Sequence, residues 1–177
     1  VFSKYEKICV PSASWRRHKR LEETLEAFKD PRLKNVLLIA LGGFNYIKDK
    51  SKIPDNVILT PLLKPNDTAS VYCMADAMIH LAWLDWCPNT VVEALSCGVP
   101  VLCSHNGGTK ELVKDNGVII QLEEDYEIGT KVPLYNPPKV DTNTIVEGVL
   151  EVMEKSTIFE RPDLDIKHVA EQYEKHL

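Results

Sequence analysis

Hydrophobic residues lie along this chain in short continuous runs that are separated by polar or amphipathic segments. Residues 36–41 and 77–82 contain no charged side chain apart from one histidine, which is typical of strands covered on both faces in a parallel sheet. The pattern predicts six strands, which in chain order cover residues 7–10, 36–41, 56–60, 77–82, 99–103 and 117–120.

Apolar residues between these runs recur at helical spacing. Leu21, Leu25 and Phe28 fall on one face of a helix that begins near Lys19 and ends before Pro31. A second helix is expected to begin with Asn66 or Asp67 as its N-cap. Further helices are predicted over 90–97, 108–114 and, as two amphipathic segments that close the chain, 142–177.

Strands that alternate with helices predict βαβ units with right-handed crossovers. The expected fold class is α/β: a three-layer, doubly wound, Rossmann-like parallel sheet of about six strands in a single domain, 1–177. Residues 123–141, which are acidic and then proline-bearing, are expected to form a surface loop or insertion. Ligands of such sheets bind beyond the carboxyl ends of the strands, so one crevice is expected among the loops 12–20, 42–45, 61–65, 83–90 and 104–109.

Composition narrows the possible partners. The net charge of −5 argues against a general nucleic-acid surface. No run approaches the roughly 20 apolar residues that span a bilayer, and the first residues do not resemble a secretory signal. Five cysteines without metal-ligand spacing indicate reduced thiols in a cytoplasmic compartment. We expect no metal site and no cofactor.

Residues 83–111 hold the most suggestive chemistry. A polar loop enters the helix at 90–97, and the first amides of a helix favour an anion such as phosphate. Asp85 and Glu93 stand eight positions apart across this junction, and a carboxylate there could accept hydrogen bonds from a ribose diol. From spacing alone, however, Thr90 and Glu93 fit a capping box better, with Glu93 tied back to the backbone of Thr90.

A second cluster lies at the turn after the first strand. Residues 15–20 carry four cations, which would suit a polyphosphate, although a solvated basic turn explains the charges about equally well. The glycine pairs 42–43 and 107–108 would allow either a tight turn or a close approach to a ligand. Neither pair has the spacing of a dinucleotide-binding motif.

The run D-W-C-P-N-T-V-V-E-A-L-S-C-G-V-P-V from Asp85, followed by G-G-T-K-E from Gly107, resembles the donor-binding signature of retaining glycosyltransferases of family four. These enzymes have the GT-B fold, and this chain is similar to the C-terminal of their two domains. The resemblance extends over about the whole chain and is weakest at 123–141.

The resemblance implies a set of site residues. Glu93 would bind the ribose hydroxyls of a nucleotide sugar, Asp85 would touch the donor sugar, and Lys19 would contact the diphosphate. Asp85 and Lys19 are therefore the candidate catalytic residues. The remaining candidates would hold the sugar, the phosphate or the base, and they are Cys87, Asn89, Thr90, Arg16, Arg17, Ser14, Gly43, Leu63, Gly107 and Gly108.

Two positions depart from the family pattern. The first glutamate of the signature is Asp85 here, which is one methylene shorter. The arginine that the family has five residues before the lysine is Ser14, and Arg16 or Arg17 is expected to replace it.

The implied function is the donor-binding domain of a retaining hexosyltransferase that uses a UDP or GDP sugar, with mannose favoured, and a glycan or lipid acceptor. An N-terminal domain of the same protein would bind the acceptor, so this part alone would bind nucleotide but transfer little sugar. Any membrane contact would come through parts outside this chain, at the cytoplasmic face. The alternatives are a catalytically weakened scaffold that needs a partner chain, and a nucleotide-sugar epimerase or hydrolase of the same shape.

Overall fold

The computed structural model describes residues 2–44, 53–127, 129–132, 134–155, 157 and 159–175. Residue 45 of the predicted loop 42–45, residues 128 and 133 of the segment 123–141, and four residues within 142–177 lie outside the described residues. No helix in the described part is long and apolar enough to cross a membrane.

Six parallel strands form one sheet in the order β3-β2-β1-β4-β5-β6. Cys9 of the central strand β1 pairs with Leu38 on one side and with Ala77 on the other. The order reverses between β1 and β4, which is the switch point where doubly wound sheets bind ligands. The strands are β1 Lys7–Val10, β2 Val36–Ala40, β3 Val57–Leu59, β4 Ala77–His80, β5 Val101–Ser104 and β6 Gly117–Ile120.

Helices cover both faces of the sheet, as the alternating pattern predicted. One core cluster joins α1 and α5 to the sheet, and the other joins α2, α3 and α4 to its opposite face. The three-layer architecture is therefore confirmed. The helices are α1 Leu21–Ala27, α2 Pro65–Cys73, α3 Asn89–Ser96, α4 Thr109–Val113, α5 Thr142–Met153 and α6 Ile166–Glu174.

The start of α2 differs from the prediction. Pro65 occupies the first turn, and Lys64 is the N-cap without a side-chain hydrogen bond. Asn66 and Asp67 lie inside the helix, so the prediction that one of them caps it is wrong. Proline at this position has its φ angle preset for a helix and has no N–H that needs a partner, which explains the earlier start.

The segment 123–141 contains no helix or strand in its described part, and its start is anchored by polar side-chain contacts. The side chain of Glu123 is only 2% exposed and pairs with Arg20. Asn106, which is also buried, donates to the carbonyl of Glu124 and accepts from the N–H of Tyr126. These polar contacts fix the beginning of the segment beside the sheet.

Candidate functional site

The loop after β4 is held against the loop after β5. The N–H of Gly108 donates to the carbonyl of Asp85 at 3.0 Å, and Asp85 also pairs with Gly107 in an isolated parallel bridge. A Cβ atom at Gly108 would lie 2.2 Å from the carbonyl oxygen of Trp86. The glycine pair 107–108 therefore permits close contact with the chain's own backbone, and this contact places Asp85.

Three polar side chains meet at the switch point of the sheet. The Nζ atom of Lys19 forms an ion pair with Oδ2 of Asp85. The Nε2 atom of His80 lies 3.2 Å from that same oxygen. Lys19 comes from the turn after β1, His80 ends β4, and Asp85 comes from the loop that follows β4, so three sequence segments build one cluster.

The charge states in this cluster follow from its contacts. The hydrogen bond from His80 and then the ammonium of Lys19 hold the pKa of Asp85 well below its ordinary value. Burial lowers the pKa of His80, so its imidazole is neutral near pH 7 and its Nε2–H donates to Asp85. The cluster is one cation, one anion and one neutral donor, with no net charge.

A pocket of about 480 Å³ opens at the carboxyl edge of the sheet, and it shares Ser12 and Ala13 with a small cavity that Lys19 and His80 line. Of the candidate site residues, Ser14, Leu63, Thr90 and Glu93 line this pocket. Partial burial raises the pKa of the Glu93 carboxyl. The volume falls within the range of small-molecule sites, and its walls combine apolar side chains with a few polar ones.

The capping-box interpretation of Glu93 is wrong. Helix α3 begins at Asn89, its N-cap is Pro88, and no side chain makes a cap hydrogen bond. The N–H groups of Val91 and Val92 both donate to the carbonyl of Pro88. Because the helix starts one residue before Thr90, Glu93 is no longer at the capping-box position, and its carboxylate lines the pocket instead.

The basic cluster 15–20 is dispersed by the fold. Arg20 is fully buried and bonds to Glu123 and to the carbonyl of Pro138. Arg17 pairs with Glu23, at 2.6 Å, and Arg16 is exposed. His18 is buried. Lys19 reaches the switch point, whereas Arg20 is held in the core, so the four cations of 15–20 do not form one cluster.

The other predicted residues are placed unevenly. Gly43 does not line the pocket, whereas its neighbour Gly42 does, with a φ angle of 128° and the carbonyl of Ala13 only 2.3 Å from an added Cβ. Cys87, on the loop that leads into α3, and Asn89, the first residue of α3, are both exposed. They flank the helix N-terminus rather than the pocket wall.

Sequence reasoning missed three residues of this region. Ser12 and Tyr72 line the pocket, and the Tyr72 hydroxyl is buried without a hydrogen-bond partner among the described residues. Burial raises the pKa of Tyr72 to about 12. His80 is a buried histidine, and its hydrogen-bond partner Asp85 is a candidate catalytic residue. Its place at the carboxyl end of a strand was the available signal.

The described residues contain no group of three or more histidine, cysteine or acidic side chains that could hold a metal ion.

Comparison with known proteins identifies the family. The chain belongs to the glycosyl transferases group 1, whose family model matches residues 2–131. This assignment confirms that the domain comes from a glycosyltransferase. The matched region ends within the segment 123–141, where the sequence resemblance was also weakest.

A curated relative supports the same class. Alpha-monoglucosyldiacylglycerol synthase of Streptococcus pneumoniae strain R6 is 27% identical over 144 residues, which is 76% of this chain and 33% of the relative. The chain therefore spans about a third of that protein's length.

Solved structures share the fold. WaaG, a glycosyltransferase involved in lipopolysaccharide biosynthesis, superposes with a TM-score of 0.65 at 19% identity, over 86% of this chain and 40% of that one. A chain of the GtfA/B complex superposes with a TM-score of 0.62 at 12% identity, over 86% of this chain and 30% of that one. The Rossmann-like sheet is thus the one found in GT-B glycosyltransferases.

Proposed function

We propose that this chain is the donor-binding domain of a retaining glycosyltransferase of family four, which transfers a hexose from a nucleoside diphosphate sugar. The observation that carries the proposal is the pocket of about 480 Å³ that Glu93 lines, at the same carboxyl edge of the sheet as the Lys19–Asp85 ion pair. One end of this crevice suits a nucleoside and the other suits a diphosphate and a sugar.

The nucleoside would occupy the pocket. Leu63 and Tyr72 supply apolar surface for a base, and Glu93 supplies two carboxylate oxygens for the vicinal hydroxyls of a ribose. Glu93 makes no cap bond, so its carboxylate is available to a ligand. Its raised pKa reflects partial burial, which ribose hydroxyls would offset by donating hydrogen bonds.

The diphosphate would lie between α3 and Lys19. No side chain caps α3, so the backbone N–H groups of Asn89 and Thr90 can donate hydrogen bonds to a phosphate oxygen. Lys19 adds a positive charge at the switch point, and its side chain is 16% exposed. As the bond between sugar and diphosphate breaks, these groups would stabilise the charge that develops on the departing phosphate.

Asp85 would face the transferred sugar. Its second carboxylate oxygen can accept a hydrogen bond from a sugar hydroxyl while Oδ2 remains with His80. The rest of the site would come from an N-terminal domain of the same cytoplasmic protein that binds a glycan or lipid acceptor. Mannose from a GDP sugar is the favoured donor, with UDP sugars as the alternative.

A second candidate is a binding module that has lost most donor chemistry and works with a partner chain. Asp85 neutralises Lys19, which weakens the attraction for a diphosphate. One structural neighbour, from the GtfA/B complex, is part of a complex of two proteins. A partner chain would then complete or replace the active site.

Calorimetry with the full-length protein separates these candidates. UDP, GDP, UDP-glucose and GDP-mannose are titrated into the wild type, into Glu93→Gln and into Glu151→Gln, an exposed control on α5. We expect one nucleotide to bind, with Glu93→Gln weakening it by about tenfold or more because a charged hydrogen-bond acceptor is lost. Glu151→Gln should bind as the wild type does.

Transfer is measured on the same preparations. Sugar transfer by the full-length protein, with nucleotide binding but little transfer by the 177-residue chain, would support the enzyme. Absence of nucleotide binding by the full-length protein would contradict it and favour the binding module. Turnover of the nucleotide sugar without any acceptor would instead favour an epimerase or hydrolase.

A further inference from the structure

Asp85 receives two donors on one carboxylate oxygen. Oδ2 accepts from Nζ of Lys19 and from Nε2 of His80, the latter at 3.2 Å. A carboxylate offers about four acceptor positions on its two oxygens, so this arrangement uses one oxygen and leaves Oδ1 available. The orientation of the free oxygen is therefore set by the two groups that hold the other one.

His80 has no evident packing reason to be a histidine. It is 4% exposed at the end of β4, whose other residues are Ala77, Met78 and Ile79, all buried. Its hydrogen bond to a described residue is the one to Asp85. Burying an imidazole costs free energy that an apolar side chain of similar size would avoid. The hydrogen bond to Asp85 offsets part of that cost.

The contact also sets the proton position. A carboxylate cannot donate, so Nε2 must carry the proton in the pair with Asp85. The His80 imidazole, at 4% exposed, is therefore a fixed donor from the core, while the second donor, Lys19, is 16% exposed. Lys19 is the flexible member of the pair, because a lysine ammonium on a four-carbon stem can move toward an incoming phosphate.

We propose that His80 is a positioning residue for donor transfer: its Nε2–H holds Oδ2 of Asp85 so that Oδ1 faces the donor sugar when Lys19 turns to the diphosphate. This inference rests on the proposed function. It assigns a role to His80, which contacts Asp85 and does not itself contact the donor. Without His80, the release of Lys19 would leave the short Asp85 side chain free to rotate.

Variants of the full-length protein test this role. His80→Leu removes the donor, whereas His80→Gln keeps a side-chain N–H at the position of Nε2. We expect His80→Leu to lower kcat by about tenfold or more, as the loss of a hydrogen bond to a charged group predicts. The Kd for the nucleotide alone should stay within about threefold, because the base and ribose bind elsewhere. His80→Gln should recover most of kcat.

A double-mutant cycle asks whether His80 acts through Asp85. In an Asp85→Asn background, His80→Leu should cause little further loss of kcat, because residues that act as a unit are not additive. Equal effects of His80→Leu in both backgrounds, unchanged kcat in His80→Leu, or a parallel loss of nucleotide affinity would each overturn the proposal.

A readout without donor separates this inference from the proposed function. In ¹⁵N spectra of the ligand-free protein, His80 should appear as the neutral Nε2–H tautomer, with a shift that changes in Asp85→Asn. A proton on Nδ1 would overturn the positioning role even if the enzyme transfers sugar. A wild type that shows the expected tautomer but binds no nucleotide would instead refute the proposed function, and the role in transfer with it.

Discussion

Arg20 and Glu123, which are 103 residues apart in sequence, form an ion pair inside the protein. The Nη2 atom of Arg20 lies 2.8 Å from Oε2 of Glu123, and the side chains are 0% and 2% exposed. Arg20 also donates to the carbonyl of Pro138 at 2.9 Å. Through these two contacts Arg20, which directly follows Lys19, attaches Glu123 and Pro138 to the start of α1.

Breaking the pair should be costly. In Glu123→Gln the buried guanidinium of Arg20 loses its counter-charge, and we expect the free energy of unfolding to fall by about 3–5 kcal/mol. Urea denaturation at pH 7 measures the change. Lys29→Ala is the matched control, because the Lys29–Glu26 pair is 45% and 58% exposed, and its loss should cost less than about 1 kcal/mol. Equal effects of the two variants would contradict a structural role for the buried pair.

Gly108→Ala should displace the loop that holds Asp85. The new Cβ would meet the carbonyl oxygen of Trp86 at 2.2 Å, so one backbone segment must move. We expect a lower melting temperature and a large loss of transfer in the full-length protein, since a displacement of about 1 Å can cost a hundredfold in rate.

Gly43→Ala is the control for the second glycine pair. An added Cβ at Gly43 meets nothing within 4 Å, and its φ angle does not require glycine. We therefore expect unchanged or slightly higher stability and unchanged transfer. Equal losses of stability and transfer in Gly43→Ala and Gly108→Ala would show that the clash at Gly108 does not cause the effect.

Stability should depend on pH through His80. Burial lowers its pKa from the ordinary 6.5, so below that pH the unfolded chain takes up a proton that the folded chain does not. Stability is therefore present above about pH 6.5 and is lost as the pH falls, with a slope of up to about 1.4 kcal/mol per pH unit for one proton. His18, whose pKa is also lowered by burial, adds to the same window.

The variant His80→Gln should flatten this dependence. Denaturant unfolding measured from pH 5 to pH 8 should show a smaller slope for the variant below about pH 6.5, by up to one proton. Above pH 7 the slopes of the variant and the wild type should coincide, which serves as the internal control. An unchanged slope at low pH would mean that His80 is protonated in the folded protein.

Chelation should leave sugar transfer intact. We expect Lys19 and the first amides of α3 to stabilise the departing diphosphate, so full-length protein treated with EDTA should retain its rate. A loss of activity that added Mg²⁺ or Mn²⁺ restores would contradict this assignment. Lys19→Ala should lower transfer both with and without EDTA.

Several features could be predicted from residues alone because they depend on local pattern. The continuous apolar run at 36–41 predicted a buried strand, and Val36–Ala40 is one. The face of Leu21, Leu25 and Phe28 predicted a helix that packs on the sheet, and all three are buried in one core cluster. Helix starts were less predictable, because α3 begins at Asn89 on a turn set by Pro88 rather than at a polar cap.

The sequence by itself determined the strand and helix pattern, the edge of the sheet where ligands would bind, and the family, since periodicity and motif spacing are local properties. Only the tertiary structure decided which charges meet. Arg20 and Lys19 are adjacent in the chain, yet one is sealed against Glu123 and the other joins Asp85 and His80. Such pairings depend on the packing of distant segments, and composition cannot distinguish two neighbouring cations.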